Sequence, residues 1–327
     1  MTQDASLHLR PFGQADAPAV ADLVTRSVRG LWTYRPEHFR ESARPERRRL
    51  VAVRGGEVVA TAHLMPFGEG ASDALRLDLA GEGAAFSPLF LALLAQSELV
   101  RRPAGYSRLL GVTREDFSEQ MALFAAAGFR NAWQSWGAHL DLRGWDFSPF
   151  RVLEERLFLE GYEVERWRMD APEADWQALH ALHRQGEADV PRNPTTMTAP
   201  LDLPALREVM AREEAVFVVR RRGELLALTR LTLPRGKALQ GAGEVSSDLT
   251  ATHPAHRGRG LATWVKAHAL AWARGEGYTR AGTGGAILNL PLLRVNTRLG
   301  YVPEAMWVTW EKGLRTPDAA VRKCSER

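Results

Sequence analysis

The chain repeats itself, and that repeat constrains its fold more than any other feature. RRRLVAVRGGEVVATAHL at 47–64 and VFVVRRRGELLALTRL at 216–231 are both apolar runs around a glycine-containing turn, the pattern of a β-hairpin. Gly56-Glu57 of the first aligns with Gly223-Glu224 of the second, 167 residues on. Downstream, AAAGFRNAWQSW leaves a helix at Gly128 for a strand as RLGYVPEAMWVTW does at Gly300, 172 residues on. The openings agree too: LHLRPFGQADAPAVADLV and YEVERWRMDAPEADWQALHALH each read as strand, turn and amphipathic helix. Near-equal offsets predict a duplicated domain. DFSPFRVLEERLFLEGY lies between the copies, with Ser148 and Pro149 suited to a helix start and Gly161 to its end. The expected division is therefore 1–143, 144–313, and a flexible tail at 314–327 without periodicity.

Composition narrows the partners. With 327 residues and 45% hydrophobic content the chain can bury two ordinary cores. The net charge of +4 is spread over alternating acidic and basic residues, with no single-sign block, so no nucleic-acid partner is expected. Cys324 is the sole cysteine, which excludes a disulfide framework and a cysteine-based metal site within one chain. No stretch reaches eighteen uninterrupted apolar residues and no signal peptide is evident, so a cytoplasmic protein without a membrane span is expected, as a monomer or homodimer.

The most informative segment is HPAHRGRGLA at 253–262. Before it, EVSSDLTATHP reads as a strand closed by Pro254; after it, Leu261, Trp264, Val265, His268, Ala269 and Trp272 follow helical spacing until Gly275 and Gly277. A strand-to-helix junction of this kind presents unpartnered amides and the positive end of the helix dipole, an anion site. Gly258 and Gly260 let the backbone approach a phosphate, and Arg257 and Arg259 add charge-assisted hydrogen bonds. The P-loop is excluded because Leu261-Ala262 stands where Lys-Ser/Thr is needed, and the dinucleotide fingerprint because Thr263 replaces its third glycine.

What remains, R-x-x-G-x-A from Arg257 to Ala262, resembles the coenzyme A pyrophosphate loop of the GNAT superfamily of N-acetyltransferases. The order Thr283, Asn289, Asn296 and Leu299-Gly300-Tyr301 keeps that superfamily's spacing, and the duplicated layout with ADVP at 188–191 resembles a bacterial tandem-GNAT group. The resemblance implies an α/β fold of two tandem GNAT-like domains, each a twisted mixed sheet flanked by helices. It implies acetyl-CoA as cosubstrate, no metal, and a small-molecule amine as acceptor. It places the pyrophosphate on Gly258, Arg259, Gly260, Leu261 and Ala262, and the pantetheine arm on the backbone of Leu249, Thr250, Ala251 and Thr252. Asn289 either bonds that arm or caps the next helix.

Acetyl transfer needs a neutral amine, an oxyanion donor and a proton for the departing thiolate. Many GNAT enzymes take that proton from a tyrosine four residues before the Gly-aromatic pair, and here Asn296 holds the position. Asp248, on one strand face with Glu244 and Ser246, is the candidate base; His253 and His256 are weaker ones. Asp189 is a candidate to hold an ammonium substrate, or a turn residue before Pro191. The first copy has AGEGAAFSPLF at this junction, lacking the arginine and carrying Glu82, so it is expected not to bind the cofactor. A non-catalytic acetyl-CoA sensor and a thiol-pathway acetyltransferase resembling mycothiol synthase are the alternatives.

Overall fold

Strands that alternate apolar and polar residues form the first half of the chain, and their hydrophobic faces demand helices against them. The computed structural model describes residues 6–29, 33–42, 47–67, 73–191, 200–234 and 243–314. In chain order the elements of the first half are β1 (His8–Pro11), α1 (Ala17–Ser27), β2 (Arg48–Arg54), β3 (Glu57–Pro66), β4 (Ala74–Gly81), α2 (Phe86–Ala104), β5 (Arg108–Arg114), α3 (Ser118–Ala126) and β6 (Arg130–Asp141). The second half holds α4 (Arg151–Leu159), β7 (Tyr162–Arg166), α5 (Glu173–Asp189), α6 (Leu203–Glu213), β8 (Glu214–Arg221), β9 (Glu224–Thr232), β10 (Glu244–Thr252), α7 (Leu261–Gly275), β11 (Arg280–Ala286), α8 (Leu290–Arg298), β12 (Val302–Pro303) and β13 (Trp307–Gly313). Both expected hairpins form, β2–β3 and β8–β9, with positive φ at Gly56 and Gly223 in their turns.

The chain divides into two compact units, residues 1–134 with 307–327, and residues 135–306. In the first the strand order is β1-β2-β3-β4-β5-β13, and in the second β6-β11-β10-β9-β8-β7. This differs from the sequential division expected at 143/144. By the repeat offset β6 and β13 are the same element of the two copies, yet β13 pairs antiparallel with β5 and β6 pairs antiparallel with β11. The last strands are exchanged. Because β5 and β11 are themselves equivalent, either strand offers the same edge, and the hydrogen-bond ladder is satisfied in both arrangements. The expected tail begins with Leu314, which is buried and donates its N–H to the Ser107 carbonyl at 2.8 Å; residues 315–327 lie outside the described residues.

In the second unit β9, ELLALTRLT, is buried along nearly its whole length, because helices cover it from both sides. Ala215, Phe217 and Val219 of β8 join Val245 and the α7 residues Leu261, Val265 and Ala269 in one core. Val216 and Val218 point the other way, to Trp176 and Leu179 of α5 and Met210 of α6. Gly186 of α5 sits so near β10 that an added Cβ would lie 2.6 Å from the Ala251 Cβ.

The exchanged strand carries weight in the first core: Val308 and Trp310 of β13 are buried there, and Trp310 stacks on Phe124 with ring centroids 6.1 Å apart. Trp310→Ala is expected to destabilise the first unit by about 3–5 kcal/mol, read by urea denaturation. An unchanged transition would show that the C-terminal strand is not part of that core.

Candidate functional site

The site begins where two strands part. β10 runs parallel to β11 only from Glu244↔Arg280 to Ser247↔Thr283. A register shift against β9 follows at once, between Ser247 and Thr250, and β10 turns away. β11 meanwhile stays paired with β6 along its whole length. The β11-facing backbone groups of Leu249–Thr252 are thus left without a strand partner, while the other edge is held, down to His253 N–H on the Leu226 carbonyl at 2.8 Å. Backbone polar groups exposed in this way seek a partner.

The loop that follows is shaped by its glycines. Gly258 has φ 76° and Gly260, the N-cap of α7, φ 91°, the left-handed region that side chains disfavour. Gly260 supplies no capping side chain, so the first-turn amides of α7 stay available. A Cβ on Gly260 would also come within 2.9 Å of Leu153 Cδ1. The Arg156 guanidinium fixes the loop by donating to the Arg259 carbonyl at 2.6 Å, and the Tyr162 hydroxyl is 2.9 Å from His256 Nδ1. Burial, then the nearby Arg259, holds the His256 ring below its ordinary pKa.

Between wedge and loop lies a cleft of about 480 Å³. Thr250, Ala251 and Thr252 line it from β10, and Arg257, Gly258, Gly260, Leu261 and Ala262 from the loop and first helical turn. Asn289, Leu292, Arg294, Val295 and Arg298 complete it from the α8 side. Most of the expected cofactor residues are therefore brought together; of them, Leu249 packs toward α5 and Arg259 turns to Glu160 at 3.8 Å. Sequence reasoning missed Arg294 and Arg298, whose i, i+4 spacing on α8 was the available signal. With Arg257 and the helix dipole they make the cleft's mouth cationic.

The remaining candidates separate. The Asn289 side chain accepts the Leu292 N–H at 3.3 Å, so it is a helix cap that also borders the cleft. Asp189, expected to hold an ammonium group, ends α5 beside the loop and pairs with Arg257, whose Nε also donates to the Thr252 carbonyl at 3.1 Å. Its charge is spent on the loop's own arginine. Asp248 does share a face with Glu244 and Ser246, and its carboxylate is 3.0 Å from the buried Arg230 guanidinium. Arg230 in turn meets His183 Nε2 at 2.5 Å; burial, then Arg230, drives that ring down to about 4, so it stays neutral and accepts. On the same face His139 contacts Glu304 at 2.6 Å and Glu244 at 3.1 Å. Asn296 does not line the cleft. It is buried on the core side of α8, and neither amide atom has a partner among the described residues.

The first unit shows the same frame closed. β4 and β5 run parallel from Ala74↔Arg108 to Leu77↔Gly111 and then part. Here Gln120 reaches into the gap: its amide donates to the Leu79 carbonyl at 3.1 Å and accepts from the Thr113 hydroxyl at 2.5 Å. At the helix start a Cβ added to Gly83 would overlap the Glu119 carboxylate, and Glu82 pairs with Arg54 at 2.6 Å. The chain's own amide and carboxylate occupy the places where the second unit has open backbone and a cationic mouth.

A mixed sheet parted between two parallel strands, with a glycine loop opening a helix beside the gap, is the frame of the second unit. Residues 163–301 match the Acetyltransferase (GNAT) family and form a GNAT domain. Along nearly the whole chain the fold is that of tandem GNAT proteins. The GCN5-related N-acetyltransferase from Sphaerobacter thermophilus is 15% identical with a TM-score of 0.62, covering 95% of this chain and 96% of that one. A tandem GNAT protein from the clavulanic acid biosynthesis pathway is 20% identical with a TM-score of 0.58, covering 96% and 100%. A glucosamine N-acetyltransferase region of a fungal multi-domain β-N-acetylglucosaminidase is 14% identical with a TM-score of 0.61, covering 95% of this chain and 38% of that one. No curated protein matches in sequence. Among the described residues no helix is long and apolar enough to cross a membrane.

One buried charge was not foreseen. Lys266 of α7 is 2% exposed, donates to Ser247 Oγ at 2.8 Å and lies over the Tyr301 ring at 5.5 Å. Burial alone pushes its pKa from 10.5 down to about 7. A base whose folded pKa is lowered binds fewer protons folded than unfolded between those values. Its destabilising effect is fully present below about pH 7 and is relieved as pH rises toward 10.5. Lys266→Met is therefore expected to be more stable than the wild type at pH 6–7, by up to about 5 kcal/mol, with the difference shrinking toward pH 10. Urea denaturation of both proteins across that range measures it; a pH-independent difference would mean that Lys266 titrates normally.

Proposed function

We propose that this chain is an acetyl-CoA-dependent N-acetyltransferase that transfers acetyl to a small-molecule amine by direct attack in a ternary complex. The observation that supports it most is the parting of β10 and β11 beside a cationic glycine loop. The loop's amides and Arg257, Arg294 and Arg298 suit a pyrophosphate, and the open edge of Leu249–Thr252 suits the amides of a pantetheine arm. Acetyl-CoA supplies the activated acyl group. Asp248 lies just past the last β10–β11 pair, on the opposite face from Ser247, with its carboxylate held by Arg230. There it can hold the incoming amine and accept its proton. Gly284 on β11 and its partner Gly137 on β6 carry no side chain on this face, so a small acceptor can lie on the backbone there, next to the Glu244 carboxylate that covers Gly282.

An acceptor amine with a low pKa suits this site. Deprotonating a lysine amine at pH 7 costs about 4.6 kcal/mol, and an α-amine near 8 about 1.4 kcal/mol, while the candidate base is already engaged by an arginine. The first unit, whose corresponding gap is filled by Gln120 and Glu119, serves as structural support and binds no cofactor of its own.

Calorimetric titration of acetyl-CoA into the wild type and Ala262→Glu tests the binding half. One micromolar site is expected in the wild type, weakened at least about 100-fold in the variant by a carboxylate set among the first-turn amides. Two sites would show that the first unit also binds the cofactor, and an unaffected variant would remove the cofactor from this loop. Thiol release across an amine panel tests the chemical half: α-amines are expected to react faster than lysine side chains, and Asp248→Asn to lower kcat at least about tenfold with acetyl-CoA affinity unchanged. Binding without turnover of any amine would leave a sensor in place of an enzyme.

A further inference from the structure

The two units place different residues at the same point of the same frame. The point is the apex of the gap, where the parallel pairing stops: Leu77↔Gly111 in the first unit and Ser247↔Thr283 in the second. The 172-residue offset also pairs Phe124 with Asn296 and Phe129 with Tyr301. In the first unit this apex is apolar and full. Leu77 and Phe124 are buried, Phe124 packs on Phe90, Phe129 and Trp310, and a Cβ on Gly111 would overlap its ring.

In the second unit the apex is polar and incomplete. Ser247, Lys266, Asn296 and Tyr301 are all buried. Lys266 Nζ donates to Ser247 Oγ, and the described residues offer it no carboxylate. Both amide atoms of Asn296 and the Tyr301 hydroxyl lack hydrogen-bond partners among the described residues. Buried polar groups are kept unpaired at a cost that the first unit shows the frame can avoid. The cluster adjoins the cleft: Thr263, one turn before Lys266 on α7, and Leu292, one turn before Asn296 on α8, both line it. From Thr252 at the loop end down to Ser247, β10 covers roughly 16 Å, a span comparable to an extended pantetheine arm.

On the acetyltransferase reading above, we infer that Ser247, Lys266 and Asn296 form the site for the sulfur of coenzyme A, with Lys266 the proton source for the departing thiolate through Ser247. The amine nitrogen bonds to the acetyl carbon, the carbon–sulfur bond breaks, and its electron pair goes to sulfur. The Ser247 hydroxyl gives its proton to sulfur as the Lys266 ammonium restores it. Lys266 is left as a neutral amine and recovers a proton from solvent, which receives the one lost by the acceptor amine. Ser247 meets the sulfur; Lys266 acts through it and is a positioning residue. The Asn296 amide donates to the sulfur where a tyrosine stands in many related enzymes. Of the elements packed on Lys266, β10 contributes Ser247, with Glu244 acting on Tyr301, and the segment after α8 contributes Tyr301, whose phenol burial and then Glu244 keep protonated. From β8 and β9 the α7 core receives apolar residues such as Phe217, Val219 and Leu226.

The test is to titrate the thiol of bound coenzyme A by thiolate ultraviolet absorbance, in wild type, Lys266→Met and Asn296→Leu. The expected result is that wild type lowers the thiol pKa by at least about one unit below free coenzyme A, a tenfold gain in thiolate, because a cation faces it. Lys266→Met abolishes that shift. Asn296→Leu, an apolar filling of the kind the first unit tolerates, reduces it. In turnover, wild-type kcat falls above neutral pH as Lys266 loses its proton, and Lys266→Met is slower and lacks that limb. Coenzyme A bound with the same thiol pKa in wild type and Lys266→Met would overturn the sulfur site while leaving the acetyltransferase reading intact. Failure of wild type to bind coenzyme A would overturn both.

Discussion

The structure depends on one unmade set of hydrogen bonds. After Ser247 the β10 backbone faces a gap instead of β11, and every N–H and C=O on that edge needs another partner. The bulge that follows commits β10 to this direction, because it rotates the strand while β9 continues to hold the opposite edge. Everything that makes a site lies along the consequence. The gap opens toward the loop, the glycines let the loop turn tightly, and α7 begins with its amides directed at the space so formed.

The duplication supplies an internal comparison for this constraint. Both units part the same two strands, so the gap belongs to the frame and not to the ligand. The first unit satisfies its open edge with Gln120 on the Leu79 carbonyl and closes its apex with Phe124. A side-chain amide there stands in for the amide a ligand would bring, and a carboxylate at Gly83 for its phosphate. A unit so filled needs no ligand to satisfy these groups. The second unit leaves the same groups open and lines them with Arg257, Arg294 and Arg298.

Much of this was legible in the sequence where the signal is local. The loop at 253–262 could be read because glycine spacing and the strand-to-helix change leave marks in consecutive residues, and Asn289 was already ambiguous between cap and ligand. The exchange of β6 and β13 left no mark, since two equivalent strands carry equivalent patterns and only the non-local choice of edge separates them. Lys266 was invisible for another reason. α7 is buried on most of its circumference, with Thr263, Val265, Lys266, Ala267 and Leu270 all inside, so a lysine between apolar neighbours carries no periodic signature. Asp189 and Arg257 were each read singly, whereas the structure pairs them 68 residues apart.

The placement of charge within the second unit follows what each group must stabilise. Arg257, at the cleft's cationic mouth with Arg294 and Arg298, is about half exposed, at 47%. Such cations suit a permanent dianion: they attract it from solution, and solvent screening is offset by their number and by the backbone amides. A charge that exists only while a bond breaks has no time to recruit solvent or move side chains, so its stabilising group must already be oriented and dry. Lys266 meets that description at a cost to folding, because burial holds its pKa near 7 and no carboxylate among the described residues neutralises it. A paired lysine would be cheaper to bury but would offer its proton less readily. The apolar apex of the first unit shows the stable solution the frame permits. Replacing it with a buried lysine that no carboxylate among the described residues pairs is explicable, on the sulfur-site proposal, as an adaptation to a negative charge that appears there and then leaves.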